Sequence, residues 1–226
     1  MILINSMFPI LVCLALALCA FARETQHDAA QQLRGILSDH TNHYIGTLAA
    51  VAPNATHAAV GAEYYAPCLA DDHPGDLLML ALPVSAVWRN VLDKPVTASL
   101  MVTSSADERD VDLRHSVREP SGREVWEPER PMWRRGFASK GRAALYGSVH
   151  RFNASDSQTR CFVRHHPDAG AWTPGAPESP HTAVWVRFHP ESIYYVGGFG
   201  DEHYIGMIDQ NVYEAAWKPP ALVVQH

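Results

Sequence analysis

The chain has 226 residues, of which 47% are hydrophobic and 19% charged, and a formal net charge of −6. That is enough apolar material for one ordinary core, and it leaves no positive field with which to hold a nucleic acid. No second core or low-complexity linker interrupts the sequence, so one domain is expected.

Residues 1–22 carry no charged side chain, run apolar from Met7 to Ala20 and end in Ala20-Phe21-Ala22 before Arg23. This small-x-small ending marks a cleaved secretory signal, and the apolar run is too short for a stop-transfer helix. The expected mature chain is 23–226, secreted or in an endomembrane lumen, with no membrane span. Cys13 and Cys19 leave with the signal. Cys68 and Cys161 remain, an even pair in an oxidising compartment; a disulfide between them requires α-carbons within about 7 Å, and two buried thiols are the alternative. Asn54-Ala55-Thr56 and Asn153-Ala154-Ser155 are sequons in polar, turn-like segments, which makes Asn54 and Asn153 expected glycosylation sites.

Along the mature chain, residues 28–40 place Ala30, Leu33, Ile36 and Leu37 on one helical face, with Asp28 as candidate cap and Gln31 three residues later. Residues 44–51 read as a strand, and a second begins at Gly61. Residues 77–82 are a continuous apolar run of strand length that suits burial on both faces, closed by Pro83. A short helix over 84–92 leads to a strand over 95–102. Residues 104–140 are dense in Arg, Asp and Glu around Trp126 and Trp133, and form an insertion longer than compact domains use for a connection, which points to a lid, an interface arm or local disorder. Alternation returns over 142–152, with Ala144, Tyr146, Ser148, His150 and Phe152 on one side. Ser155-Asp156-Ser157-Gln158 has capping-box spacing and opens a helix that Pro167 stops. Residues 182–188 and 192–199 then read as paired strands, with His189-Pro190-Glu191 as the turn between them.

The phrase His166-Pro167-Asp168-Ala169, Trp172 shortly after, the expected hairpin and then Gly197-Gly198-Phe199-Gly200 resemble the last third of the secreted CREG glycoproteins. Ile45-Gly46-Thr47-Leu48-Ala49 resembles that family's opening barrel strand. Ser85, Arg89 and Asn90, followed by Ala98-Ser99-Leu100, are similar to the strand-helix-strand passage of its flavin-binding relatives. The resemblance implies a mainly β chain with peripheral helices, built as a six-stranded split barrel of the FMN-binding, pyridoxamine 5'-phosphate oxidase-like superfamily. It also implies a homodimer packed through barrel faces, with any flavin lying between the subunits.

From the same resemblance, Ser85, Arg89, Asn90, Ser99 and Arg142 are the candidate FMN phosphate ligands, supplying the cations and donors that a phosphate requires. The competing reading makes Ser85 a helix cap, Arg89 a solvated cation and Asn90 a helix end. Trp88 either fills the cofactor pocket or stacks on a flavin ring. CREG-like members keep the barrel without established catalysis, so the expectation is a noncatalytic binding protein with no FMN retained, acting on an unidentified receptor, glycan or small ligand. The alternative is an FMN-dependent oxidoreductase.

Metal is not expected. Adjacent His165 and His166 diverge by about 100° on a helix and cannot share one ion, and His166-Pro167-Asp168 reads as a helix stop with its imidazole against terminal carbonyls. A haem would need an axial ligand such as His203 or His226, and nothing singles out either. Gly197-Gly198-Phe199-Gly200 lacks the sequel of a phosphate loop and serves a bend or a close approach, with Phe199 packing at the barrel or dimer face. No Gly-x-Ser-x-Gly elbow supports a hydrolase.

Overall fold

The computed structural model describes residues 24–40, 43–94, 96–104, 117–118, 124–125, 137–177, 179, 181–200 and 203–218. The expected signal, His226 and most of the 104–140 insertion lie outside them. The first helix, α1 (Gln26–Leu37), is opened by Thr25. Its hydroxyl accepts from the Asp28 N–H at 3.2 Å, while the Asp28 carboxylate accepts from the Thr25 N–H at 2.9 Å. Asp28 is therefore the third residue of the helix and not its cap, because Thr25 completes the reciprocal pair from three residues upstream. Ala29, Ala30, Leu33, Ile36 and Leu37 face the core with no exposed surface.

Strands β1 (Ile45–Ala50), β2 (Ala59–Ala66), β3 (Leu77–Ala81), β4 (Ala98–Thr103), β7 (Arg142–Arg151) and β8 (Val184–Val196) form an antiparallel sheet in the order β3-β2-β1-β4-β7-β8. Pairing of β3 with β8 closes it into a six-stranded barrel. Two short strands inside the insertion, β5 (Val117–Arg118) and β6 (Glu124–Val125), pair with each other. A last strand, β9 (Ile205–Ile208), extends the sheet along the second half of β8. The peripheral helices are α2 (Ala86–Val91), α3 (Asp156–His165) and α4 (Gln210–Trp217).

All five residues of β3 are buried, for two different reasons. Leu77, Met79 and Ala81 join the main core, whereas Leu78 and Leu80 join Phe162 of α3 and Trp185 in a second, smaller core. α3 opens on the expected capping box, with the Gln158 N–H on Ser155 Oγ at 3.3 Å and the Ser155 N–H on Gln158 Oε1 at 2.9 Å. A disulfide joins Cys161 of α3 to Cys68 after β2, their α-carbons 5.9 Å apart. It closes a separation of 93 residues, which the chain-entropy picture values at about 4–5 kcal/mol. At the helix end, His166 Nε2 lies 2.8 Å from the Tyr65 carbonyl oxygen. The imidazole therefore ties α3 to β2 and does not cap α3's own carbonyls, because Pro167 turns the chain and burial forces the ring to find a partner in the barrel.

The expected hairpin over 182–199 is not formed. His189-Pro190-Glu191 lies within the single 13-residue strand β8, which pairs with β7 along its length. The register runs Tyr146 to Ser192 and then Gly147 to Pro190, leaving Glu191 as the extra residue of a bulge. Pro190 has no N–H to give a ladder, and a bulge is where a strand tolerates that. The partner that makes this fit is glycine: a β-carbon on Gly147 would stand 2.0 Å from the His189 carbonyl oxygen.

Gly147→Ala is therefore expected to cost on the order of 3 kcal/mol, since backbone and not a flexible side-chain tip must yield. Ser155→Ala, which removes one cap, is expected to cost about 1 kcal/mol. Urea denaturation of both variants with the disulfide intact checks the ranking.

Candidate functional site

α2 connects β3 to β4 and sends Val87, Trp88 and Val91 into the main core. Trp88 is wholly buried, and its Nε1–H donates to Glu63 Oε2 at 2.6 Å. Ser85, just before the helix, makes no side-chain cap; its hydroxyl donates to Glu63 Oε1 at 2.9 Å. Glu63 is itself buried on β2. Room for its carboxyl comes from Gly61, where a β-carbon would lie 2.7 Å from Glu63 Oε1. Burial pushes the Glu63 carboxyl above its ordinary pKa, against the two donors that favour the ionised form.

Of the other expected phosphate ligands, Arg89 is exposed and donates to the Val84 carbonyl at 2.7 Å. Asn90 donates to the Ala50 carbonyl at 3.3 Å, tying α2 to β1. Ser99 is half-buried on β4 between Ala49 and Tyr146. Arg142 begins β7 and donates to the Lys140 carbonyl at 3.2 Å. Because Arg142 pairs with Thr103, it stands four β4 positions from Ser99, roughly 13 Å along the strand. Ser85, Arg89 and Asn90 thus gather at α2, with Ser99 one strand beyond Asn90's anchor, while Arg142 lies toward the other end of the sheet.

His203 is half-buried near the Glu24 carboxylate, with 3.6 Å between Nδ1 and Oε1. Glu24 also accepts from the Tyr204 N–H at 2.5 Å and from Gln32, whose own Oε1 accepts from Tyr195 at 2.9 Å. Burial alone would raise the Glu24 pKa, and His203, the Tyr204 N–H and Gln32 together hold it below the ordinary range. Gly198 has φ +153° and packs so close that a β-carbon would meet the His203 ring at 2.6 Å, so this glycine serves a close approach. His166 is buried among the rings of Tyr44, Tyr64 and Phe162. Asp168 accepts from Tyr64 Oη at 2.6 Å, a bond that pushes the Tyr64 pKa up to about 12.

Three further features escaped the reading from sequence. The outward row Thr47, Met101, Ala144, Tyr194 and Met207 runs in register across β1, β4, β7, β8 and β9. Met101, Tyr194 and Met207 in that row are 45%, 41% and 46% exposed, and Ile45, Tyr146 and Ile205 beside them are also exposed. Secondly, the buried Asp76 carboxylate takes His189 Nδ1 at 2.7 Å and Arg187 Nε at 3.4 Å. Lastly, among the described residues, Cys68, Cys161 and His165 bring ligand atoms within 4.8 Å of one another. Cys161 and His165 are four apart on one helix, a signal that was present in the sequence and eclipsed by the adjacent histidines.

A family model described as "CREG, beta-barrel" matches residues 24–215. The solved structure of a heme binding protein from Mycobacterium smegmatis is similar with a TM-score of 0.54 at 15% identity, over 86% of this chain and 62% of that one. The chain therefore spans less than two thirds of the mycobacterial protein. ChuZ from Campylobacter jejuni is similar with a TM-score of 0.53 at 11% identity, over 92% of this chain and 70% of that one. At such identities the likeness is one of fold. No curated protein sequence matches the chain.

The raised Glu63 pKa has a measurable sign. The folded state keeps this proton to a higher pH than the unfolded chain, so stability from this group is lost as pH rises from about 4.3 through the raised value. Glu63→Gln removes the ionisation, and its stability relative to the parent is expected to improve as pH rises across that window. Urea midpoints at several pH values test this, and an unchanging difference would contradict it.

Proposed function

The chain belongs to the CREG β-barrel family, and from that premise we propose that it is a secreted, glycosylated, dimeric protein that works by binding and not by turnover. The observation that carries the reading is the buried carboxylate of Glu63 at the foot of α2. A flavin phosphate brings about two negative charges and needs free donors beside fixed cations. Here the Ser85 hydroxyl and Trp88 N–H are spent on Glu63. The Asn90 amide is spent on Ala50. A phosphate at this helix would meet a carboxylate in place of the donors it needs, and the Trp88 ring occupies the space beneath. These residues do not fit FMN, and no chemical step is assigned to it.

The outward apolar row supports self-association: exposed Met, Tyr and Ile side chains aligned across five strands form a face that association would take out of water. Asn54 and Asn153 are both exposed, Asn54 at a turn with φ +69°, which supports glycan attachment at each. The ligand class proposed is a receptor, a glycan or a small molecule.

The exposed Arg89 guanidinium is the feature that favours the second reading, an FMN-dependent oxidoreductase. Protein secreted from a eukaryotic host is expected to be colourless and to take up no FMN at micromolar concentration. A yellow protein, or micromolar FMN binding that disappears in Arg89→Ala, would reverse the assignment. Sedimentation is expected to give a dimer for the parent and a folded monomer for Met101→Arg combined with Tyr194→Arg; a parent that stays monomeric at all concentrations removes the dimer.

A further inference from the structure

Cys161 and His165 lie one turn apart on α3 and so share a face, and the disulfide brings Cys68 to that same face from the loop after β2. The two sulfurs and a ring nitrogen of His165 lie within 4.8 Å of one another, and all three residues are half-buried. A tetrahedral zinc-type centre, with metal–sulfur bonds of about 2.3 Å and metal–imidazole bonds of about 2.1 Å, holds its ligand atoms roughly 3.5–3.8 Å apart. The imidazole nitrogen is therefore within about 1.3 Å of that spacing from the sulfurs, which themselves have to move apart when their bond opens. A cleft of about 310 Å³ reaches both cysteines, with Asp71, Asp72, Gln158 and Arg164 on its walls. It offers a path for a reductant and a cation to the sulfurs, while His165 stands outside its walls with its ring 4.3 Å from that of Tyr44.

We propose that Cys68, Cys161 and His165 are a redox-gated site for a zinc-class divalent cation. A dithiol reductant supplies two electrons: its own sulfurs become a disulfide, the Cys68–Cys161 bond breaks, and each cysteine sulfur takes one proton. The cation then displaces those two protons and is held by two thiolates and the neutral imidazole, so that the charges of metal and thiolates cancel. One staple replaces another. In an oxidising compartment the covalent bond fixes α3 to the end of β2, and in a reducing one the metal does, so Phe162 remains on Leu78, Leu80 and Trp185 in both.

The test is titration with Co²⁺ of protein reduced by a phosphine and then freed of it under anaerobic conditions. One Co²⁺ per chain is expected, with a thiolate-to-cobalt charge-transfer band and tetrahedral d–d bands, both abolished by Zn²⁺. Native mass spectrometry should then record one zinc gained and two protons lost. His165→Ala keeps the disulfide for folding, and after reduction it is expected to bind at least about tenfold more weakly. Any of three results overturns the site: no stoichiometric Co²⁺ on the reduced parent, equal binding by the oxidised protein, or unchanged affinity in reduced His165→Ala. Circular dichroism on the same samples covers the remaining case. If reduction unfolds the protein and Zn²⁺ does not restore its spectrum, the proposal fails as well.

Discussion

The barrel depends on one strand serving three partners. β8 holds β7 along one edge, while its other edge pairs first with β3, which closes the barrel, and then with β9. A strand cannot satisfy two successive neighbours on one edge of a closed barrel while staying straight, and the bulge at Glu191 supplies the bend between the two halves. Pro190 and Gly147 make that bend specific, one by lacking a donor and the other by lacking a side chain. Because the chain runs on through Pro190, β7 pairs with both halves of β8, from Val186 to Val196.

Closing the barrel has a consequence at α2. The interior is filled by large side chains, Trp88, Tyr65, Tyr195, Phe188 and Leu48 among them, all essentially without exposed surface. Two carboxyls that enter are paired: Glu63 with Ser85 and Trp88, and Glu24 with Gln32, Tyr204 and His203. Buried carboxyl groups are tolerated only with such partners, and the same partners are thereby withdrawn from any ligand. On and beside α2, Ser85, Trp88 and Asn90 are each committed to a contact within the fold.

The parts of this arrangement that were legible in the sequence are those decided by near neighbours in the chain. The Ser155 capping box is set within four residues, and the apolar run of β3 reports its two buried faces directly. The cofactor-like passage from Ser85 to Leu100 was legible as family resemblance, yet its meaning turned on Glu63, some twenty residues upstream on another strand. The carboxyl reads there as one more charged residue in an ordinary strand. The bulge was illegible for the same reason. Local chemistry of His189-Pro190-Glu191 favours a turn, and the glycine that overrules it is more than forty residues away. Thr25 was missed as a cap at close range, where Asp28, the better-known partner for an orphan N–H, drew the assignment.

α3 ties these threads together, because its position outside the barrel is fixed by means that do not draw on the barrel's interior. Phe162 meets Trp185 edge-on at 4.9 Å, His166 reaches the Tyr65 carbonyl, and Asp168 just beyond the helix takes the Tyr64 hydroxyl. Leu78, Leu80 and Trp185 would otherwise present an apolar patch on the outer face of the barrel. With α3 in place, Leu78, Leu80 and Trp185 are covered, while exposed Met, Tyr and Ile side chains remain along β1, β4, β7, β8 and β9. Uncovering that second patch by loss of α3 would give the barrel two unlike apolar faces, the arrangement from which head-to-tail contacts grow without closing. The cross-link through Cys68 and Cys161 thus holds in place the helix that keeps this second apolar patch covered.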